Sequence, residues 1–174
     1  YPWMSIVDNV AFGLRIRGIA KSERRARALQ EIEAVGLQEF AWKYPSQLSG
    51  GMKQRANIAR AFANDPDLIL MDKPYAALDV QTRRLMQEQL LELLARDNRT
   101  VIFVTHSIEE ALLLGDRIVV MAARPGRIRR EIEVPFGASR DLHTLRRRAE
   151  FNEMSEAIWE MISAEVKESF RKGA

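Results

Sequence analysis

Two short apolar runs separated by a helical segment constrain the fold of this chain more than any other feature. The runs are Leu68 to Met71, followed by Asp72, and Val101 to Val104. An uninterrupted apolar run of this length is typical of a strand that is covered on both faces. The segment between them, Val80 to Ala95, carries leucines at helical spacing, namely Leu85, Leu90, Leu91 and Leu94. Because strand, helix, strand forms a crossover unit, we expect two parallel neighbouring strands and an α/β fold.

Capping residues delimit two helices ahead of the first run. From Ser22 to Val35 apolar residues recur at helical spacing, with Ser22 as the expected N-cap and Gly36 as the residue that ends the helix. Ser49 is expected to cap a second helix, which runs from about Gly51 to Ala63.

After the second run the pattern changes to a helix, a hairpin and a helical tail. Ser107 and Glu110 match a capping box before the expected helix Ile108 to Leu114. The hairpin is expected from the strands Arg117 to Met121 and Arg127 to Val134, joined by the turn Arg124, Pro125 and Gly126. The tail from Asp141 onward is expected to be helical and to dock through one apolar side, formed by Phe151, Met154, Ile158, either Met161 or Ile162, and Val166.

Composition excludes several classes of protein. The 174 residues include no cysteine, which rules out a disulfide framework and a cysteine-ligated zinc site. The net charge of +3 comes from 27 basic and 24 acidic residues that are interspersed, so we expect no continuous cationic face and no nucleic-acid partner. No apolar run approaches the roughly 20 residues of a membrane-spanning helix. With 47% hydrophobic residues, the chain is expected to form one soluble globular domain.

Two segments carry the residue types of a nucleotide site. In Leu48 to Gln54, Ser49 caps a helix and Gly50 and Gly51 let its backbone approach a ligand, so the first amides and the helix dipole can attract phosphate. Asp72 ends an apolar strand, where a carboxylate can hold Mg²⁺ through water. Taken singly, the first segment fits an ordinary glycine turn better, and the second more often marks a plain strand end.

Four motifs together resemble the ATP-binding cassette (ABC) ATPase family. Leu48 to Gln54 is similar to its signature motif, Leu68 to Asp72 to its Walker B motif, Ala77 to Asp79 to its D-loop, and Thr105 with His106 to its switch histidine, in the family's order. The resemblance implies a P-loop NTPase-like domain. It divides into a helical signature subdomain over about 1–65, core strands over about 66–135 and C-terminal helices over about 136–174.

The resemblance implies roles for individual residues. Ser49 and Gly51 would bind the γ-phosphate of ATP held by the opposite subunit of a head-to-tail dimer, with Gly50 and Gln54 in the same nucleotide-binding set. Asp79 would lie at the dimer interface. Asp72 would hold Mg²⁺ through water, and His106 would donate a hydrogen bond to the γ-phosphate. His143 follows no motif and receives no role.

A narrower resemblance concerns the transport system. Three segments are similar to the ATP-binding subunits of nitrate, sulfonate and taurine importers, namely Tyr1 to Leu14, His106 to Ala111 and Arg124 to Ile128. The region from Tyr1 to Gly36 would lie where the membrane subunits dock. Its apolar residues fit either a docking surface or the core; they are Trp3, Met4, Ile6, Val7, Val10 and Phe12. We expect a mixture of the two, in which Trp3 and Met4 are the exposed pair. The implied partners are a second ATP-binding subunit, permease subunits and, indirectly, a periplasmic substrate-binding protein.

Two features depart from the family pattern. No G-x-x-x-x-G-K-[ST] phosphate loop (Walker A) occurs in the sequence, and the family places this loop and the Q-loop glutamine upstream of Tyr1. We therefore expect a domain shortened at its N-terminus, in which Gln54 is not the missing glutamine. Lys73 occupies the position of the glutamate that activates water. A lysine is protonated at neutral pH, so Lys73 is a poor base and is better suited to bind phosphate electrostatically.

The function that these observations favour is the ATP-hydrolysing subunit of an ABC importer, peripheral on the cytoplasmic face of a bacterial membrane. Nitrate, sulfonate, taurine or a similar small anion is the expected class of substrate. An alternative is a catalytically impaired regulatory subunit or an inert fragment, which Lys73 and the absent phosphate loop favour. A soluble ABC ATPase acting on ribosomes or DNA ranks last, because the chain has neither tandem cassettes nor long insertions.

Overall fold

The computed structural model describes residues 1–76, 78–96, 99–123, 125–137 and 140–172, without the side chains of 96, 123 and 164–172. It divides into two compact units, Tyr1–Ile102 and Phe103–Ala174, which are described separately. Helices and strands alternate through much of the chain. They are α1 (Ile6–Val10), α2 (Phe12–Ile16), α3 (Lys21–Ala34), α4 (Gly50–Phe62), β1 (Leu68–Asp72), α5 (Val80–Arg96), β2 (Thr100–Val104), α6 (Ile108–Leu114), β3 (Arg117–Ala123), β4 (Gly126–Glu133), α7 (Leu142–Leu145) and α8 (Ala149–Lys172). Among the described helices, none has the length and apolar character needed to cross a bilayer.

Helices α1, α3 and α4 pack against one another in the first unit. Their buried apolar residues include Ile6, Val7, Val10, Ala28, Ile32, Ile58 and Phe62, and Leu14 of α2 is buried as well. Trp3 is 73% exposed, so the predicted mixture of core and surface is confirmed there. Met4 is only half-buried rather than exposed, because the side chain of the buried Asn9 donates hydrogen bonds to the carbonyls of Tyr1 and Met4, both at 3.0 Å, and holds this turn against α1.

The predicted capping residues of α3 are half right. Gly36 follows the helix with a φ of +66°, which ends it as expected. Ser22 is not the N-cap: Ala20 occupies that position, and the first i to i+4 bond joins the Ala20 carbonyl to the Arg24 amide at 2.9 Å. Ser22 therefore lies inside the first helical turn. The helix begins before the serine because Ala20 already has the extended conformation of a cap, with a ψ of 146°.

Strands β1 and β2 are neighbours in one sheet, as predicted. The Thr100 amide donates to the Asp67 carbonyl at 3.1 Å, so both strands begin at the same edge, as parallel neighbours do. The expected coverage of both faces is wrong. Side chains alternate between the two faces of a strand, and only the one that carries Ile69 and Met71 is buried, whereas Leu70 is 71% exposed.

Helix α5 connects these strands, as the leucine pattern predicted. Leu85 is exposed, while Met86, Leu90 and Leu93 are buried. These three residues recur at the spacing of one helix face. The leucine pattern predicted the helix but did not indicate which face is buried.

The second unit contains an antiparallel hairpin. Strand β3 pairs with β4 from Arg117 opposite Glu133 to Ala123 opposite Gly126, with an irregularity between Val120 and Met121. The hairpin is confirmed, although Arg124 of its predicted turn lies outside the described residues.

The tail is helical, as predicted, and consists of the two helices α7 and α8. Asp141 caps the short α7 by accepting from the amides of His143 and Thr144, and α8 begins at Ala149. Phe151 and Ile158 are buried, and α8 packs against α6 and β3, so the predicted docking is confirmed within the part of α8 whose side chains are described. Val166 is not in that part.

The junction between α6 and β3 is held by a buried guanidinium. Arg140 is 2% exposed at its side chain and donates to the carbonyls of Leu113 and Gly115 at 3.1 and 2.8 Å. It also pairs with Asp116 at 2.5 Å. Carbonyls at the end of a helix lack intrahelical partners, so this arginine satisfies groups that α6 leaves open.

Candidate functional site

The start of α4 presents hydrogen-bond donors outward. Ser49 is the N-cap, as predicted: its Oγ accepts from the Met52 amide at 3.3 Å. The hydroxyl keeps its own proton free to donate, since a serine hydroxyl both donates and accepts. The amides of Gly50 and Gly51 precede the first intrahelical bonds. Helix α4 begins at Gly50, one residue earlier than predicted, and Ser49 and Gly50 are exposed.

Gly51 lies where the starts of α4 and α5 approach each other. A Cβ atom at Gly51 would lie 2.9 Å from Thr82 Cγ2 and 3.8 Å from Leu78 Cδ2, whereas one at Gly50 would have no atom of the described residues within 4 Å. A separation below 3.0 Å is a steric conflict. Glycine at position 51 therefore allows a close packing of two helix termini, in addition to any contact with a ligand.

Asp79 caps the neighbouring helix α5. Its Oδ1 accepts from the amides of Gln81 and Thr82 at 3.1 and 3.0 Å. The hydrogen bond from the Thr82 side chain, followed by those from the backbone, holds the pKa of Asp79 below its usual value. The carboxylate is thus ionised at neutral pH and fully exposed. Ala77, which belongs to the same predicted D-loop, lies outside the described residues.

The two helix starts differ in charge. Helix α5 receives the anion Asp79 from its own chain. Helix α4 has the neutral cap Ser49 and no acidic residue in its first turn. The N-terminal end of a helix carries a partial positive charge of roughly half an elementary charge, which favours an anion. The sequence thus leaves the positive end of α4 for an external anion, and phosphate is the group that such an end suits.

Asp72 and Lys73 lie together where β1 ends. Both residues are exposed, and Lys73 has a φ of +44°, which is unfavourable for a residue with a side chain. Within the described ranges, no three His, Asp or Glu side chains come close enough to form a metal site by themselves. A single exposed carboxylate still suits Mg²⁺, because this ion is usually held by one or two carboxylates together with water and substrate phosphates.

A buried tyrosine that sequence reasoning missed anchors the loop after Lys73. Tyr75 is 1% exposed, and its hydroxyl donates to the Met86 carbonyl at 3.3 Å. The loop also contains backbone bonds from the Ala76 amide to the Lys73 carbonyl and from the Leu78 amide to the Tyr75 carbonyl, both at 3.2 Å. An aromatic residue within a turn was the signal available in the sequence.

His106 belongs to the second unit. It is exposed and lies two residues after the end of β2, between Thr105 and Ser107. Ser107 is the N-cap of α6, as predicted, and its Oγ accepts from the Glu110 amide at 3.3 Å. The histidine therefore lies between the end of a strand and the start of a helix, a usual place for ligand contacts in α/β sheets.

A basic cavity lies in the first unit. Its volume is about 430 Å³, and its lining includes Trp3, Met4, Asp8, Arg15, Lys21, Arg24, Arg25 and Tyr44. Arg25 pairs with Asp8 at 3.1 Å. Partial burial acts to raise the pKa of Asp8, but hydrogen bonds from Arg25 and Ser5 outweigh it and lower the pKa. With four basic side chains and one acidic side chain in its lining, the cavity favours an acidic surface on whatever covers it.

Comparison with known proteins gives consistent results. The sequence model of the family described as "ABC transporter" matches residues 1–76. An uncharacterized ABC transporter ATP-binding protein of Methanocaldococcus jannaschii is 46% identical over 98% of this chain and 62% of its own length. A taurine import ATP-binding protein, TauB, of Rhizobium johnstonii is 46% identical over 90% of this chain and 62% of its own length. The chain thus spans about three fifths of these relatives.

A solved structure supports the same assignment. The dimeric ATP-binding cassette MJ0796, in a post-hydrolysis state bound to ADP and Pi, has a TM-score of 0.66 and 38% identity, and the match covers 77% of this chain and 58% of that one. The α/β fold expected from the motifs is the fold of these cassettes. The chain is homologous to the ATP-binding domains of ABC transporters over nearly its whole length.

Proposed function

We propose that this chain supplies the signature side of a shared ATP site in the ATPase subunit of an ABC importer. The observation that carries the proposal is the start of α4, where Ser49, Gly50 and Gly51 present donors without an anion from their own helix turn. The relative of known structure is a dimer with ADP and Pi, which supports a nucleotide site shared between two subunits. Gln54, half-buried one turn further along α4, would support the same site.

The other site residues have complementary roles in the proposal. Asp72 would hold Mg²⁺ through water, and this ion would offset phosphate charge. His106 would donate a hydrogen bond from a neutral imidazole to the terminal phosphate as charge moves in the transition state. Asp79, ionised and exposed, would lie at the interface between the two subunits.

The transported substrate would be a small sulfonate such as taurine, or nitrate. Support comes from relatives that are named taurine import ATP-binding proteins. The subunit would bind at the cytoplasmic face of a bacterial membrane, couple ATP hydrolysis to movement of separate permease subunits, and depend indirectly on a periplasmic substrate-binding protein.

Ser49 provides the direct test. We define a fusion subunit in which the Walker A segment of a taurine import relative is joined ahead of Tyr1. This fusion should dimerise with ATP, as measured by analytical ultracentrifugation. Ser49→Arg should require at least about 100-fold more ATP, because the bulky side chain blocks the donors; two lost charge-assisted hydrogen bonds correspond to about 3 kcal/mol.

Ser49→Thr is the matched control, because threonine keeps both the cap and the hydroxyl. It should dimerise at nearly the wild-type ATP concentration. Equal ATP requirements for the arginine variant and the wild type would remove the basis of the proposal.

Permease docking would use the basic cavity and the exposed Trp3. Trp3→Ala in the fusion subunit should reduce co-purification with the permease subunits of a taurine importer by about tenfold, which corresponds to about 1.4 kcal/mol. The melting temperature should stay unchanged because the indole is 73% exposed. Trp159→Ala, at another exposed tryptophan, is the control and should co-purify normally. Normal co-purification of the Trp3 variant would place the permease elsewhere.

A further inference from the structure

The hydroxyl of Thr105 joins the residues on both sides of His106. Thr105 Oγ1 accepts from the Ser107 amide at 3.0 Å and donates to Glu110 Oε2 at 2.6 Å. Ser107 Oγ in turn accepts from the Glu110 amide at 3.3 Å. The residue before His106 and the residue after it are therefore held to the same glutamate on α6.

This arrangement differs from an ordinary capping box. There, the side chain of the third helical residue reaches the amide of the N-cap residue directly. Here the Ser107 amide donates to Thr105, and the threonine hydroxyl carries the connection on to Glu110. Since a threonine hydroxyl has one proton to donate and two lone pairs to accept with, it can make both bonds at once.

Burial makes the connection stronger than an exposed one. Glu110 is 7% exposed although it carries a carboxyl group, and such groups are seldom buried without hydrogen-bond partners. A hydrogen bond from a hydroxyl to a carboxylate is short and roughly twice as strong as one between neutral groups. The adjacent Glu109 is exposed and pairs with Arg146 at 2.5 Å.

We propose that Glu110, acting through Thr105, is a positioning residue that fixes the backbone at His106. With the residues on either side held, the φ and ψ angles of His106 are restricted, and the imidazole leaves the chain in a defined direction although it is exposed. The functional importance of this restriction rests on the proposed function, because a histidine that binds phosphate acts better when it is already held in position. The restriction itself is a property of the chain without nucleotide.

The chain offers a direct spectroscopic test because it contains two histidines, His106 and His143. Two imidazole Cε1–H signals are therefore expected in a ¹H–¹³C correlation spectrum of the 174-residue chain, and His143 in α7 serves as an internal control. Thr105→Val removes the hydroxyl at nearly constant volume. It should move or broaden the His106 signal, leave the His143 signal in place, and speed solvent exchange of the Ser107 amide by about three- to tenfold.

Thr105→Ser is the conservative variant, since it restores the hydroxyl, and it should return both the His106 signal and the Ser107 exchange rate towards wild type. Glu110→Gln keeps an acceptor without the charge, should change the same signals by a smaller amount, and serves as the test if the valine variant does not fold. A His106 signal that coincides with wild type in folded Thr105→Val, or in folded Glu110→Gln when valine abolishes folding, would overturn the proposal. The readout involves no ATP, so its failure is separate from a failure of the Ser49 test.

Discussion

Replacing Lys73 with glutamate is expected to raise the ATPase rate of the fusion subunit by at least about 100-fold, the lower range for a positioned general base. Lys73 lies directly after Asp72 at the end of β1. An ammonium has three donors and no acceptor, so it cannot take a proton from water. A carboxylate at the same place can. The measurement is steady-state phosphate release at saturating ATP.

The same substitution should weaken ATP binding while it speeds hydrolysis. The lysine charge attracts phosphate, and a glutamate replaces this attraction with repulsion, so KM should rise as kcat rises. The conformational free-energy cost of the backbone at position 73 is the same for lysine and glutamate, because both carry a Cβ at a position with a φ of +44°. A rise in KM together with a rise in kcat separates a gain in chemistry from a gain in stability.

Lys73→Gln is the control for charge alone. It removes the cation at the size of glutamate without supplying a base, so it should raise KM and leave kcat low. A kcat for the glutamate variant no higher than for the lysine protein would refute the idea that Lys73 impairs hydrolysis. A rise in kcat with glutamine equal to that with glutamate would assign the effect to the removed charge.

Features set by neighbouring residues in the sequence were predictable. Ser49 and Ser107 cap their helices and Gly36 ends its helix, because each depends on bonds within a few residues. Ser22 failed since Ala20 adopts the cap conformation first, and no residue type marks that choice.

Features set by distant packing were not predictable. The leucine rhythm of α5 does not indicate which face is buried, and Met86 rather than Leu85 faces the core, beside the hydroxyl of Tyr75. A continuous apolar run predicts a strand covered on both faces, but it does not indicate which parts of the chain cover each face. Leu70 is exposed although its run predicted a buried side chain. The buried role of Arg140 depends on carbonyls 25 and 27 residues away.

The sequence and the structure contribute different information about the candidate site. Motif order predicts the site residues, which are Ser49, Gly51, Asp72, Asp79 and His106. The structure supplies their surroundings. The neutral cap of α4 and the anionic cap of α5 lie side by side. The start of α5 already has an anion from its own chain, whereas the start of α4 is suited to an external anion. The two caps are about thirty residues apart in the sequence, so this contrast is visible only in the folded structure.

Gly51→Asp is expected to suppress ATP-dependent dimerisation of the fusion subunit more strongly than Gly51→Asn. Asparagine and aspartate have nearly the same size, and either Cβ would lie 2.9 Å from the Thr82 methyl group, so the two variants share the steric cost. They differ by one negative charge beside the expected phosphate. At about 4 Å and an effective dielectric constant near 20, two like charges repel by about 4 kcal/mol, and solvent screening reduces this for an exposed site. We therefore expect aspartate to require about 10- to 100-fold more ATP than asparagine.

Two further variants separate packing from charge. Gly51→Ala should destabilise the subunit through the contact with Thr82, and combining it with Thr82→Ser, which removes the methyl group and keeps the hydroxyl near Asp79, should restore the melting temperature. Gly50→Ala should leave the melting temperature nearly unchanged, since its Cβ would meet nothing within 4 Å. The aspartate and asparagine difference should shrink as salt is added, because exposed charges are screened. Identical ATP requirements for Gly51→Asp and Gly51→Asn at low salt would mean that no phosphate approaches the start of α4, and the shared ATP site would then have to be abandoned.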